Sequence, residues 1–387
     1  MNGAAFHGYR RTNGRVGTRN LLLILSVTGL TGPAARRIAY GLSGAVFAGT
    51  PYGGGLIGED AAAHRRTLAG LATHPNVGAA IIVGADETTV DDIAAKTEAA
   101  GTPFAALVFD HTGHDALTLV DRGLRAGAKL LKTISRQRRE PAPLSALTLG
   151  LECGRSDPSS GIGANPVVGA IADRVADAGG TAIVGETTEW LGAEDRLAAR
   201  AQDPEVGKAI VAAAQRREAL AVAAGIDLTG TNPGRTNIEG GLTTIEEKSL
   251  GAVSKAGTGH IAGLVAYAEC PPTPGRWLMD APAYAPESLT GFVAAGANLT
   301  LFTTGVGNSF GSRLAPTIKL TANPATAARL DTQIDVSTAP LITGEEDLSS
   351  AAQRVLDEVC AVASGALTFS EIFADGEETI SRFGPAL

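Results

Sequence analysis

The stretch LECGRSDPSSGIGANPVVGAI, residues 151–171, gathers Cys153, Ser156, Asp157, Ser159 and Ser160 in a polar, glycine-rich turn. A buried structural cysteine favours apolar neighbours, so a thiol in this setting reads as part of a site. Asn165 followed by Pro166 has the form of an N-cap and a proline at the first helical position. The positive end of that helix, with the thiol and carboxylate before it, can hold an anion or a metal. The same residues also suit a βα turn whose serines and aspartate only satisfy backbone groups. In GETTEWLGAED (185–195), Glu186 and Glu189 follow the strand-like run TAIVGE (181–186). Two carboxylates there can coordinate a hard cation or divide acid and base roles, or simply favour a helix N-terminus. Lys248 and Lys255, in the polar segment 231–259, can steady an enolate or carboxylate, or be ordinary solvated lysines. His111 and His114, in DHTGHD (110–115), can act as base or ligand, or be loop histidines with no role.

These residues need a scaffold, and the pattern around them supplies one. LLLILSV (21–27), AVFAG (45–49), GAAIIVG (78–84) and FAALVFD (104–110) are short apolar runs, each followed by a helix-length amphipathic segment. Such runs read as βα units of a parallel sheet covered on both faces. The polar SRQRREPAPLS (135–145) reads as a linker. A second series then begins, with strands expected at 146–151, 181–186, in HIAGLVAYAE (260–269) and in NLTLFTTG (298–305), and a helix at 167–178. The expected fold is α/β: two lobes, residues 1–138 and 139–387, each built on a mostly parallel sheet, with the site in the cleft between them.

Composition narrows the function. The 387 residues are 44% hydrophobic but only 4% aromatic, so the core must be aliphatic, and the 49 glycines suit many tight turns and close approaches. A formal net charge of -8 argues against a nucleic-acid partner. Three cysteines without paired spacing fit a reducing compartment and no CxxC metal or redox motif. Neither a signal-like segment nor a membrane-length apolar run is visible, so a cytoplasmic protein is expected. GGGLIG (53–58) matches G-x-G-x-x-G, which raises a nucleotide-dependent oxidoreductase as one alternative. The expected acidic residue about 20 positions on is missing, and the glycines follow the second apparent strand instead of the first.

Taken in order, GYRRTNGRVGTRN, LECGRSDPSSGIGANPVVG, GETTEWLGAED, NIEGGLTTIEEKSLGAVSKAG, LMDAPAY and LFTTGVGNSFGSRLAPTIKLTANP resemble the altronate/galactarate dehydratase family over most of the chain. Two first-lobe positions where those dehydratases carry cysteines are Gly55 and Ala85 here. PYGGGLIGED, HPNVGAAIIVGADE and HTGHD are more similar to the sulfolactate sulfo-lyase branch of the family. The resemblance implies a lyase that eliminates a β-substituent from a 2-hydroxy acid to give a 2-keto acid. It also implies a divalent metal, Fe2+ before Mn2+ or Mg2+. Within these motifs Asp157, Glu186 and Glu189 are the expected metal ligands, and Cys153, Lys248 and His114 the catalytic candidates. Arg19, Asn20, Ser156, Asn165, Asn237 and Lys319 are the expected substrate-binding residues. Because the chain starts at the GYRR motif, where the dehydratases have a small extra domain, the resemblance implies a short separate partner subunit and an oligomer. The alternatives are a sugar-acid dehydratase of the altronate/galactarate type and a non-catalytic sugar-acid-binding subunit.

Overall fold

The structure, a computed structural model, describes residues 5–228 and 231–384. Its first sheet has four parallel strands in the order Ala45–Gly49, Leu21–Ser26, Val77–Gly84, Phe104–Val108. Val77–Gly84 is buried along its whole length, because helices cover both faces of the sheet. Alternate side chains then serve different cores. Leu22, Ile24 and Ile81 pack with Ile38 of helix Gly32–Tyr40 and Leu119 of helix Ala116–Ile134. Leu23, Leu25 and Ile82 pack with Leu68 of helix Gly58–Ala72 and Ile93 of helix Glu87–Ala99.

The second sheet has seven strands, all parallel, in the order Ile261–Val265, Gly275–Met279, Thr181–Val184, Thr148–Cys153, Leu299–Thr303, Thr317–Thr321, Val336–Ser337. Helices Asn165–Asp177 and Leu348–Ala363 share a core with Leu149 and Leu151. Phe292 of helix Ala285–Ala294 belongs to a second core. The α/β fold with two parallel sheets is the expected one, with Gly275–Met279 and Thr317–Thr321 as additional strands. Within the segment read as a linker, Glu140–Ala142 is a short strand that pairs antiparallel with Phe6–Arg10. Among the described residues no helix is long and apolar enough to cross a membrane.

The two lobes are in direct contact. A Cβ on Gly70 would lie 2.1 Å from the Ala294 carbonyl oxygen, so glycine is required where helix Gly58–Ala72 crosses helix Ala285–Ala294. Nearby, the Asn76 side chain donates to the Asn298 and Leu314 carbonyls and accepts from the Thr18 amide. His74 is buried beside it, with Nε2 3.0 Å from the Ala297 carbonyl and Nδ1 accepting the Asn76 N–H at 3.1 Å. Both bonds together set the neutral tautomer with the proton on Nε2.

Burial, reinforced by the charge of Arg15 and only partly opposed by the Ala297 carbonyl, lowers the His74 pKa to about 3. The unfolded chain then binds one proton more than the folded one from the ordinary histidine range down to about 3. His74 should therefore contribute stability that is complete above the unfolded pKa and is lost on acidification, at up to ~1.4 kcal/mol per pH unit. Denaturant titrations from pH 7 to 4 should show a shallower fall for His74→Gln than for the parent, and equal slopes would contradict this assignment.

Candidate active site

Parallel strands bring their carboxyl ends to one edge, and two neighbouring ends build the site. Strand Thr148–Cys153 stops at Cys153, and its neighbour Thr181–Val184 leads two residues later to Glu186. Glu186 has a left-handed backbone (φ 62), a conformation that costs free energy for a residue with a Cβ and clusters at functional sites. The turn Thr187–Trp190 follows and carries Glu189, pinned by the Trp190 indole N–H donating to the Gly185 carbonyl at 3.0 Å. Lys248 comes from helix Ile245–Ala252, whose start is capped by the Thr244 hydroxyl accepting from the Glu247 amide. Lys255 lies in the next turn, Val253–Ala256. That turn approaches helix Asn165–Asp177 so closely that a Cβ on Gly169 would sit 2.2 Å from the Ser254 carbonyl oxygen.

The result is a buried charged cluster. Lys255 Nζ is 2.8 Å from Cys153 Sγ and 2.9 Å from Glu186 Oε2. Cys153 Sγ lies 3.5 Å from Glu186 Oε2 and 3.3 Å from Glu189 Oε2. Lys248 Nζ pairs with Glu189 Oε1 at 2.6 Å and also donates to Asn232 Oδ1. The neighbouring Glu152 is wholly enclosed and lies against Glu186 and Ser288.

Burial and neighbouring charge fix the protonation pattern. Burial, then the Glu189 and Glu186 charges, hold the Cys153 thiol well above its usual range, so it is neutral. Burial and the Glu186 charge likewise hold Glu152 protonated. For Glu186 burial is the largest influence and works toward protonation, but Lys255, Glu152 and Lys248 together outweigh it and the carboxyl stays ionised. Burial opposes the charge on both lysines, yet the acidic neighbours raise both, so each is an ammonium.

Cys153 Sγ and one carboxylate oxygen from each of Glu186 and Glu189 lie within 4.8 Å of one another. One soft and two hard donors converging in a buried place can hold a metal ion. The Lys255 ammonium already stands between two of those donors, so a cation there must displace it or share the charge with it.

Beside the cluster is a cavity of about 270 Å³. Ser156, Asn165 and Lys248 line it together with Ile162, Leu242 and Leu250. All its lining residues fall between 156 and 251, so this cavity belongs to the second lobe; another cavity, lined by Asp60 and Arg66 and by Arg217 and Asp280, lies between the lobes.

The structure thus brings Cys153, Glu186, Glu189 and Lys248 together, with Ser156, Asn165 and Asn237 around them. Asn237 donates to the Ser156 carbonyl at 2.7 Å and so shapes that loop. The other candidates have different surroundings. Asp157 is no part of the triad: its Oδ1 accepts from Ser159 Oγ and the Ser160 amide, and its Oδ2 from Asn323. Asn165 is not a helix cap, because a π-helical turn, Ser160–Ala164, runs into helix Asn165–Asp177. Its side chain instead links the Gly251 carbonyl to the Thr303 hydroxyl. Arg19 is engaged internally, with Glu371 at 2.6 Å and with the Thr18, Val362 and Ala366 carbonyls. Asn20 bridges Arg11 and the Ile134 carbonyl. Lys319 donates to the Ser309 carbonyl and Ser370 hydroxyl, and burial lowers its pKa to about 8. His114 stands exposed on the first lobe, 3.5 Å from Asp110. Glu152 is the group that residue typing passed over; an acid inside the apolar strand LGLEC was the available signal.

Comparison with known proteins places the geometry in context. Residues 144–386 match the D-galactarate/altronate dehydratase C-terminal family, and residues 8–135 match the second domain of D-galactarate dehydratase/altronate hydrolase. The chain is 35% identical over 385 residues to the (2R)-sulfolactate sulfo-lyase subunit beta of Chromohalobacter salexigens, covering 99% of this chain and 98% of that one. It is 32% identical to the altronate dehydratase of Escherichia coli, covering 94% of this chain and 74% of the relative. It is 29% identical to the galactarate dehydratase (L-threo-forming) of the same organism, covering 96% and 75%.

The Lys255–Glu186 pair is testable through stability. Lys255→Met leaves a buried carboxylate uncompensated and should cost roughly 3–5 kcal/mol. Adding Glu186→Gln should recover a large part of that loss in a double-mutant cycle followed by denaturant unfolding. Additive losses would mean that the two groups do not depend on each other.

Proposed function

The chain belongs to the D-galactarate/altronate dehydratase family and is an enzyme of lyase type, and on that premise we propose that it catalyses β-elimination from a 2-hydroxy acid to give a 2-keto acid. The observation that carries the reading is Lys248, which lines the cavity and is ion-paired with Glu189 of the buried cluster. In such an elimination a base takes the C2 proton, charge builds on the carboxylate as an aci-enolate, and the C3 substituent departs. The enol then becomes the keto acid. The dianionic intermediate is the costly species, and fixed cationic donors are what lower its free energy. Lys248 is held as an ammonium by burial-resisting carboxylates around it. Its role is therefore to stabilise the developing charge, not to accept the C2 proton. His114, exposed on the other lobe, is left out of this assignment.

A divalent cation on Cys153, Glu186 and Glu189 would supply further electrophilic stabilisation of the aci-enolate, and the thiol favours Fe2+ over Mn2+ or Mg2+. The substrate favoured by the 35% identical relative is sulfolactate, which would yield pyruvate and sulfite. A sugar acid, dehydrated as the names of the other relatives describe, is the second reading. Since the first relative is named a subunit beta, a partner subunit is part of the proposal. So are two domains divided near residue 138, supported by family matches that end at 135 and resume at 144, and a reducing, cytoplasmic setting, supported by three free cysteines.

The test is a coupled 2-keto-acid assay on protein purified without oxygen, with Fe2+, Mn2+ or Mg2+ and with the partner subunit. Pyruvate and sulfite from (2R)-sulfolactate are expected; keto-deoxy acid from altronate or galactarate would favour the second reading, and no product from any would defeat both. Lys248→Met should lower kcat/KM by about 10²-fold or more, while Cys270→Ser, at an exposed thiol, should leave it unchanged.

A further inference from the structure

The run LMDAPAY (278–284) supplies no member of the buried cluster, yet it lies next to it. Strand Gly275–Met279 is the parallel neighbour of Thr181–Val184 on the side away from Cys153. Past the two strand ends, the pairing continues through Thr187. Its N–H donates to the Ala281 carbonyl at 3.0 Å. Its hydroxyl donates to Asp280 Oδ1 at 2.9 Å and accepts the Ala281 N–H at 3.0 Å. Asp280 is fixed in turn by helix Pro204–Ala223, with Arg217 2.8 Å from Oδ1 and Arg216 3.0 Å from Oδ2. Thr187 is completely buried, and its hydroxyl both donates and accepts at this one strand end.

The residue before Thr187 is Glu186, with its left-handed backbone at φ 62 and ψ 56. A residue with a Cβ keeps that conformation only where its surroundings over-determine it. Upstream the strand ladder does so, and downstream Thr187 does. We propose that Thr187 and Asp280 are positioning residues of the reaction: by anchoring the chain immediately after Glu186, they hold its carboxylate against Lys255 and Cys153. This rests on the elimination reading given above and adds two residues that act only through Glu186. Neither of them lines the cavity beside the cluster. Losing their hydrogen bonds therefore lowers the stabilisation of the transition state and leaves binding in the cavity as it is, a loss that falls on kcat and not on KM.

The protein, with its partner subunit and Fe2+, is assayed with (2R)-sulfolactate, altronate and galactarate, and crystal structures of the variants are compared with that of the parent. Thr187→Val keeps the shape and removes the hydroxyl, whereas Thr187→Ser keeps the hydroxyl. Asp280→Ala removes its acceptor at a partly exposed position, and so serves if Thr187→Val does not fold. Thr187→Val and Asp280→Ala are each expected to lower kcat by about tenfold or more with KM changed less than about twofold, and Thr187→Ser to stay within about twofold of the parent. The Glu186 carboxylate should be displaced from Lys255 in the Asp280→Ala crystal structure. Folded variants with parental kcat, a loss shared equally by Thr187→Ser, or a loss with Glu186 unmoved would overturn the positioning role and leave the elimination reading standing. If the parent turns over none of the acids, the elimination reading fails, and the crystal structures alone decide: a displaced Glu186 supports the positioning role and an unmoved one overturns it.

Discussion

Two ammonium groups and two carboxylates sit out of water at the carboxyl edge of the larger sheet, and each is tolerable only because the others are there. Lys255 at 2.9 Å from Glu186 and Lys248 at 2.6 Å from Glu189 are the pairs that cancel. An isolated buried charge is far too costly to keep, so these positions are mutually dependent. The remaining titratable members, Cys153 and Glu152, stay neutral for the same reason. The cluster then sums to zero charge while holding strong donors and acceptors next to a cavity. Such a place can meet an anionic substrate without having to be reorganised for it.

The fold exists to hold those four chains in register. Cys153 and Glu186 come from the ends of adjacent parallel strands, so their separation is set by backbone hydrogen bonding between Thr148–Cys153 and Thr181–Val184. The lysines come from a helix and turn that could drift, and two contacts stop them. Gly169 allows the Val253–Ala256 turn to lie against helix Asn165–Asp177, and the Asn165 side chain donates to the Gly251 carbonyl of helix Ile245–Ala252. The left-handed backbone of Glu186 is the local cost of turning its carboxylate back toward the strand end.

Much of this was legible in the sequence, for a physical reason. Runs such as LLLILSV and GAAIIVG are buried on both faces and have to be apolar throughout, so they announce themselves. Thr317–Thr321, TIKLT, is just as buried but alternates polar and apolar residues. Its polar members find partners that only the folded chain supplies: Lys319 reaches Ser309 and Ser370, and Thr317 Oγ1 accepts from Thr300. Phe6–Arg10 pairs on one side with the nearby Val16–Gly17 and on the other with Glu140–Ala142, and the second contact is one no local pattern contains. At the site, the sequence groups Glu186 and Glu189 with Asp157 as metal ligands, whereas the structure brings the two glutamates together with Cys153. Residue type alone does not show that Arg19 and Lys319 have partners within the chain. A cation in a motif looks the same whether its partner is a substrate or an internal carboxylate and carbonyl, as with Glu371 and Val362 for Arg19.

Glu152 shows why the cluster needs its silent members. It borders Cys153 in the strand, and were it ionised, it would add a third buried negative charge beside Glu186. Two ammonium groups would no longer balance the set, and Glu186 would lose part of the bias toward ionisation that Lys255 gives it. Protonated, Glu152 leaves that bias intact. The charge state of the residues that face the cavity is thus decided partly by one that does not line it, through the simple rule that a water-free cluster keeps only as many charges as it can pair.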